Sequence, residues 1–109
     1  MKVKELVDEL NLEVVTNCDL EREISGGYVS DLLSHVMANG ERGNLWITIQ
    51  SHSNIVAVAS LLEFAAIIIP CGVKVDENTI KKAEQENINI LTSDEEIYQI
   101  TGKIYSLGI

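Results

Sequence analysis

Short apolar segments alternate with helical patterns through the second half of the 109-residue chain, and this alternation constrains the fold more than any other feature. The β-branched and aromatic segment NLWITIQ predicts a strand, and IVAVASLLEFA after it predicts a helix. AIIIP and INIL predict two further buried strands, each followed by another helical pattern. Such alternation favours right-handed crossovers. We therefore predict an α/β fold with a small, mostly parallel sheet and helices on both faces.

The first half of the chain predicts shorter elements. An amphipathic stripe indicates a helix at Val3, Leu6, Val7 and Leu10, and LEVV after it indicates a strand. In CDLEREI, Leu20, Arg22 and Ile24 alternate with Glu21 and Glu23, which predicts a second short strand with one solvent-exposed face. Ser30 can cap a helix of roughly ten residues that ends in a left-handed turn at Asn39-Gly40. We expect four apolar side chains of that helix to face inward: Leu32, Leu33, Val36 and Met37.

Two later helices carry start signals. Asp76 is expected to cap one of them, because Val75 and Ile80 have the spacing of a hydrophobic staple. Ser93 and Glu96 have the spacing of a capping box. The last helix then presents one apolar stripe, formed by Ile97, Ile100, Ile104 and Leu107.

Length and charge limit the classes of function. A chain of 109 residues fits a single domain spanning residues 1–109. The net charge of −9 repels nucleic acids and anionic membrane surfaces, so neither is expected as a partner. The charged N-terminus does not resemble a signal peptide, and AAIIIP is too short to span a bilayer. A cytoplasmic protein is predicted.

Compact polar residues concentrate in the segments that precede predicted helices. Backbone amides at helix starts suit a phosphate or a carboxylate. Residues 25–27 and 50–54 are therefore predicted to converge on one pocket at the carboxyl edge of the sheet. The candidate ligand-binding residues in these segments are Ser25, Gly26, Gly27, Ser30, Gln50, Ser51, His52, Ser53 and Asn54, with Thr92, Ser93 and Asp94 as weaker candidates.

No catalytic residue, metal site or cofactor is predicted. Gly26-Gly27 lacks the lysine and hydroxyl of a P-loop and does not match the dinucleotide fingerprint, so the pair either approaches a ligand or only turns the chain. His52 could be a neutral hydrogen-bonding group at a helix start or a packing residue. Cys18 and Cys71 are far apart in sequence and are expected to be reduced thiols.

The segments EREISGGYVSDLLSHVM and HSNIVAVASLLEFAAIII resemble the DRTGG domain family. The acidic-Arg pair of that motif corresponds to Glu21-Arg22, and its Thr-Gly-Gly corresponds to Ser25-Gly26-Gly27. Such domains are similar to the N-terminal domain of HPr kinase/phosphorylase and also occur beside CBS domains in some pyrophosphatases. The resemblance implies a regulatory or assembly module rather than an enzyme, and it adds Arg22 to the candidate ligand-binding residues.

Three functions follow from these observations. The favoured one is a non-catalytic regulatory or ligand-sensing module for a small anionic metabolite or a nucleotide. The alternative is an assembly subunit that docks a partner protein, for example one associated with a hydrogenase or another redox protein, without a small ligand. A redox or metal-linked accessory that uses Cys18 and Cys71 is the least favoured.

A homodimer is also predicted. The helix from Ile55 to Ala65 has only Ser60 and Glu63 as polar residues, so its apolar side chains surround more than one side. So small a domain has few elements that could cover such a helix, and an uncovered apolar patch marks an interface.

Overall fold

The computed structural model describes residues 1–109 as five helices and a five-stranded mixed sheet. None of these helices is long and apolar enough to span a membrane. In chain order the elements are α1 (Val3–Leu10), β1 (Glu13–Thr16), β2 (Gly26–Val29), α2 (Leu33–Asn39), β3 (Asn44–Ile47), α3 (Asn54–Leu61), β4 (Ala66–Ile69), α4 (Glu77–Gln85), β5 (Ile90–Thr92) and α5 (Ile97–Ser106).

The strands lie in the order β1-β5-β4-β3-β2. Strands β2 to β5 pair in parallel with their neighbours in chain order, and β1 adds to the sheet antiparallel to β5. The small α/β fold with a mostly parallel sheet is therefore confirmed. Strand β2 forms one open edge of the sheet and β1 forms the other.

Three helices, α2, α3 and α4, cover one face of the sheet. Trp46, Ile67 and Ile90 point to this face from three different strands and are fully buried. Ile55 of α3 belongs to the same cluster, and the Phe64 ring packs edge-on against Trp46 with centroids 5.8 Å apart. All three crossovers therefore return on the same side, as right-handed connections between consecutive strands require.

The first and last helices, α1 and α5, cover the opposite face. Leu45, Ile68 and Leu91 point to it from β3, β4 and β5. They pack with Leu6 of α1 and Ile100 of α5, and all five side chains are fully buried. Helices therefore cover both faces, as predicted.

The glycine pair lies in a strand rather than in a turn. Gly26 and Gly27 open β2, opposite Asn44 and Leu45 of β3, and neither glycine has a positive φ. The second strand predicted within CDLEREI is also wrong. Its backbone instead contacts the N-terminus, where the amide of Val3 donates to the carbonyl of Arg22. The predicted alternation of exposed and shielded side chains in that segment is nevertheless present, because Glu21 and Glu23 are exposed while their neighbours are half-buried.

Helix α2 is shorter than predicted and covers less of the sheet. Val36 is buried and Leu33 packs against the core, but Leu32 and Met37 are 63% and 43% exposed. Gly40 has a φ of −66°, so the predicted left-handed turn is wrong. A Cβ at Gly40 would lie 2.5 Å from the Phe64 ring, so packing rather than backbone conformation requires this glycine.

Of the three predicted caps, only Asp76 occupies the cap position, and none forms a side-chain cap hydrogen bond. Asp76 precedes α4 but forms no side-chain cap, and Glu96, not Ser93, occupies the cap position before α5. The Ser93 hydroxyl instead accepts a hydrogen bond from the amide of Glu95. Ser30 likewise accepts a bond from the amide of Leu32 before α2 begins.

Helix α3 is covered by other helices of the same chain. The expectation that its apolar side chains are left uncovered and form an interface is therefore wrong. Ile55, Val56 and Ala59 are fully buried, and Val58 is 8% exposed. Its neighbours α2 and α4 shield it on both sides. Leu61 is the large apolar side chain that it leaves exposed. The homodimer itself stays a prediction.

The buried side chain of Asn89 joins the loop after β1 to the sheet. Its carbonyl oxygen accepts hydrogen bonds from the amides of Cys18 and Asp19 at 3.1 and 2.8 Å. Its amide nitrogen donates to the carbonyls of Asp19 and Ala65 at 2.7 and 3.0 Å. One fully buried side chain thus satisfies four main-chain groups from two distant segments.

We predict that Asn89→Ala lowers the free energy of unfolding by about 2–4 kcal/mol, because it leaves buried main-chain groups without partners. Urea denaturation followed by Trp46 fluorescence measures this loss. The control is Asn78→Ala on the exposed side of α4, which should change stability by less than about 0.5 kcal/mol. Equal losses in the two variants would contradict the prediction.

Candidate functional site

The predicted site residues divide between opposite ends of the sheet. Because Gly26 pairs with Asn44 at the start of the parallel β2–β3 ladder, the glycine pair lies at the amino end. Residues 50–54 follow the carboxyl end of β3. The prediction of one shared pocket is therefore wrong. Arg22, Ser25, Gly26 and Gly27 belong to the amino end, and Ser30, Gln50, Ser51, His52, Ser53 and Asn54 belong to the carboxyl end.

At the amino end, the acidic-Arg pair makes structural contacts. The Arg22 guanidinium donates a 2.7 Å hydrogen bond to the carbonyl of Asn87, just beyond the C-terminus of α4. A cation at this position complements the helix dipole. Glu21 pairs with Lys4 at 2.9 Å and with Lys2 at 3.3 Å, and these hydrogen bonds lower the pKa of the Glu21 carboxyl.

Ser25 holds the connection that leads into β3. Its hydroxyl donates to the carbonyl of Arg42 at 2.6 Å and accepts a bond from the Asn44 side chain at 3.3 Å. Gly43 has a φ of +81°, and a Cβ there would lie 2.8 Å from the Ser25 oxygen. The Ser-Gly-Gly segment therefore packs closely against the start of β3.

A cavity of about 390 Å³ lies beside this motif. Arg22 and Arg42 line it together with three carboxylates, those of Glu23, Glu63 and Glu86. Arg42 lies 3.5 Å from Glu63, and Arg22 lies 3.7 Å from Asp19 outside the cavity. The two guanidinium groups are thus already compensated, and the cavity has no excess of positive charge.

At the carboxyl end, Asp31 connects the loops after β2 and β3. Its carboxylate accepts hydrogen bonds from the Thr48 hydroxyl at 2.8 Å and from the amide of Ile49 at 2.9 Å. The Gln50 side chain donates to the carbonyl of Asp31 at 3.0 Å. The predicted loop residues Ser30 and Gln50 are therefore neighbours, through an aspartate that the sequence analysis missed.

The next contact lies between the His52 ring and the Asp76 carboxylate. The His52 Nδ1 lies 3.1 Å from Asp76 Oδ2, and the His52 side chain is 75% exposed. The carbonyl of Ser51 accepts a 2.6 Å hydrogen bond from the buried Thr79 hydroxyl. These contacts fasten the loop before α3 to α4. No nucleophile lies within hydrogen-bond distance of His52, so the pair has the geometry of a loop anchor.

A groove of about 700 Å³ opens where β4 and β5 end. The loop after β4 leads to α4 on one face, whereas the loop after β5 leads to α5 on the other. In parallel sheets, ligands bind where neighbouring loops diverge in this way. The polar and charged side chains of the groove are Asn11, Glu13, Lys74, Thr92, Ser93, Asp94, Glu95 and Lys103.

The groove has a free cation and a paired one. Lys74 is exposed and has no carboxylate within ion-pair distance. Lys103 lies 2.5 Å from Glu95. The amide of Gly72 donates to the carbonyl of Ser93 at 3.0 Å and closes the floor between the two loops. The groove therefore offers one available ammonium group beside small hydroxyls.

The two cysteines do not form a joint site. Cys18 follows β1 at the amino end, whereas Cys71 follows β4 at the carboxyl end, and both are free thiols. Burial raises the pKa of both thiols, and a hydrogen bond to Glu96 raises that of Cys71 further. Thiols with raised pKa values are weak nucleophiles and weak metal ligands at neutral pH. No group of three or more His, Cys, Asp or Glu side chains could hold a metal ion.

Sequence reasoning found part of this groove. Thr92, Ser93 and Asp94, the weaker candidates, line it. Lys74 and Lys103 were missed, because lysines on loops and helix surfaces are common and carry no local pattern. To find the groove, one must know that the loops after β4 and β5 lead to opposite faces of the sheet. This depends on which face each helix covers, and the sequence does not show it.

No protein-family profile and no curated protein matches the sequence. Among solved structures, the chain is similar to the crystal structure of the CBS and DRTGG domains of the regulatory region of Clostridium perfringens pyrophosphatase, complexed with its activator diadenosine tetraphosphate. The TM-score is 0.74 at 15% sequence identity, over 94% of this chain and 45% of that one. The chain thus spans less than half of that region, and the likeness supports a DRTGG-like fold.

We predict that Arg22→Gln lowers the free energy of unfolding by about 1 kcal/mol, because Asn87 loses a charge-assisted hydrogen bond at a half-exposed position. Thermal or urea denaturation measures the change. Arg42→Gln is the control, since its side chain is 83% exposed and should contribute less than about 0.5 kcal/mol. Unchanged stability in Arg22→Gln would remove the structural explanation of this motif arginine.

Proposed function

We propose that the protein is a non-catalytic regulatory or ligand-sensing module that binds a small anionic metabolite, such as a nucleotide, in the groove at the ends of β4 and β5. The observation that carries the proposal is the coincidence of the groove with the point where the loops to α4 and α5 diverge. A cytoplasmic location belongs to the same proposal, since both thiols are unpaired.

The size and chemistry of the groove support this ligand class. Its volume of about 700 Å³ lies within the range that suits small-molecule sites. Lys74 can meet a phosphate without first breaking an ion pair, and Lys103 can turn from Glu95 to a stronger anion. Ser93 and Thr92 supply hydroxyls beside them.

The net charge limits the affinity. Glu13, Asp94 and Glu95 line the same groove as the two lysines, and the whole chain carries −9. A phosphate must therefore approach against a negative field, which salt screens. We expect weak binding that depends on the lysines, as suits a sensor of an abundant metabolite.

The related structure supports regulation as the role. That region is described as regulatory, and it was crystallised with a nucleotide activator. A shared fold alone does not transfer a function, so the residues of this chain must carry the claim. Here the claim rests on Lys74 and Lys103, which can be tested separately from the fold.

We predict that Lys74→Glu weakens nucleotide binding by about tenfold or more, since it removes a charge-assisted contact and adds a repulsive one. The probes are ATP, AMP, diadenosine tetraphosphate and inorganic phosphate, titrated against the ¹⁵N-labelled protein by NMR. Lys81→Glu is the matched control, because Lys81 is also an exposed lysine without an ion pair but lies outside the groove. The proposal fails if no probe shifts the amides of residues 72–75 and 92–95.

We also predict that the purified protein does not hydrolyse ATP. The lysine and hydroxyl of a P-loop are missing beside Gly26-Gly27, and this glycine pair lies inside a strand, where its amides cannot form a phosphate-binding loop. Phosphate release with magnesium present measures the activity. Turnover that stays with the protein through successive purification steps would show that the module is an enzyme.

A further inference from the structure

Helix α5 has an apolar stripe on its outer side as well as on its inner side. Ile100 and Ile104 point into the core and are 0% and 3% exposed. Tyr98 and Tyr105 point outward and are 86% and 77% exposed, the highest values among the large hydrophobic side chains. Single exposed apolar residues are common. Two exposed tyrosines two turns apart on one helix form a continuous apolar surface, which is typical of a protein interface.

Small residues lie between the two tyrosines. Gly102 is in the middle of the helix, and a Cβ built there would meet nothing within 4 Å. Glycine is a poor helix former, and nothing in the chain itself requires it at this position. Thr101 beside it has a buried hydroxyl without a hydrogen-bond partner. A glycine that packs against nothing in its own chain is explained if another helix approaches there.

None of the residues that line this surface is acidic, and Glu95, the ion-pair partner of Lys103, lines the groove instead. Val29 on β2, 43% exposed, borders it, and Lys103 is its one charged side chain. The chain has 17 acidic residues, so an acid-free surface of this extent is where two copies would approach with the least repulsion.

We propose that this surface, formed by Val29, Tyr98, Thr101, Gly102 and Tyr105 and called the α5 face below, binds the α5 face of a second copy of the chain. The two helices are antiparallel and cross at Thr101 and Gly102. Tyr98 of one protomer then packs against the partner's Tyr105. The proposal does not depend on ligand binding in the groove.

The arrangement of the residues selects a second copy as the occupant. A two-fold interface requires a surface that is complementary to itself. The midpoint between Tyr98 and Tyr105 falls between Thr101 and Gly102, so an antiparallel pair matches each tyrosine with the other one and each small residue with the other small residue. Seven residues span about 10 Å along a helix. Both tyrosine–tyrosine contacts therefore lie close to the point where the two helices cross.

The area fits a reversible dimer. At their exposures, the two tyrosines of one protomer offer on the order of 300 Å² to a partner. A stable interface buries about 800 Å² on each side, so the two tyrosines cover less than half of that area and suit a weak, reversible dimer. We expect a dissociation constant in the micromolar range.

Sedimentation equilibrium of the full chain tests the proposal. The 12.0 kDa protein should reach twice that mass between low and high micromolar concentration. Tyr98→Glu and Tyr105→Glu should each weaken association by about tenfold or more, while circular dichroism shows that the exposed positions tolerate the change. Leu61→Glu is the matched control, because Leu61 is 66% exposed on α3 and should leave the dimer intact.

A monomer at high micromolar concentration overturns the proposal and leaves the α5 face free for a different protein. A dimer that Leu61→Glu dissociates and the tyrosine variants do not would place the interface on α3 instead.

Gly102→Ala adds a test in which monomer stability and dimer affinity should change in opposite directions. It should raise the thermal midpoint of the monomer through better helix propensity, yet weaken the dimer by placing a methyl group at the crossing. Stronger or unchanged association in Gly102→Ala would exclude the close crossing.

The register is tested by photo-oxidative tyrosine cross-linking in a mixture of ¹⁴N and ¹⁵N protein, which separates intermolecular links from links within one chain. The antiparallel pair predicts links between Tyr98 and the partner's Tyr105. Links restricted to identical positions would contradict the antiparallel crossing. Tyr28 serves as an internal reference, since it is half-buried against His35 on the other side of the sheet and should stay unlinked.

Discussion

Strands β3 and β4 are buried along their whole length, and every helix is placed by the need to cover them on both faces. Because β2 to β5 follow one another in order, right-handed crossovers send α2, α3 and α4 to one face. The other face is left to α1 and α5, the helices at the two ends of the chain. This division makes the loops after β4 and β5 diverge, and the groove lies where they do.

The sequence predicted the elements whose burial leaves a strong pattern. The uninterrupted apolar run of β4 and the stripe of α5 are examples, since their apolar residues must face the core. It failed at Gly26-Gly27, because glycine usually marks a turn and because an edge strand needs little side-chain packing. It also placed Leu32 and Met37 inside, since helical spacing identifies an apolar stripe but not what covers it.

The site was predictable only in part for the same reason. Ser93 and Asp94 precede a helix and could be found from local sequence, whereas Lys74 joins them only through the packing of distant segments. The resemblance drew attention to Arg22 and Ser25, whose contacts with Asn87, Arg42 and Asn44 are internal to the protein. The segment that resembles the DRTGG motif thus shapes the amino end of the sheet, whereas the groove proposed for a ligand lies at the opposite end.

The antiparallel strand β1 also affects the order in which the fold can form. The Thr16 hydroxyl accepts a bond from the amide of Ile90, a residue 74 positions away. On a ribosome, β2, β3 and β4 can pair as they emerge, but β1 has no partner strand until β5 has been made. Such a distant closure is costly in chain entropy and is slow compared with the neighbouring β–α–β steps. Strand β1, which is synthesised before the other four strands, is therefore among the last to join the sheet.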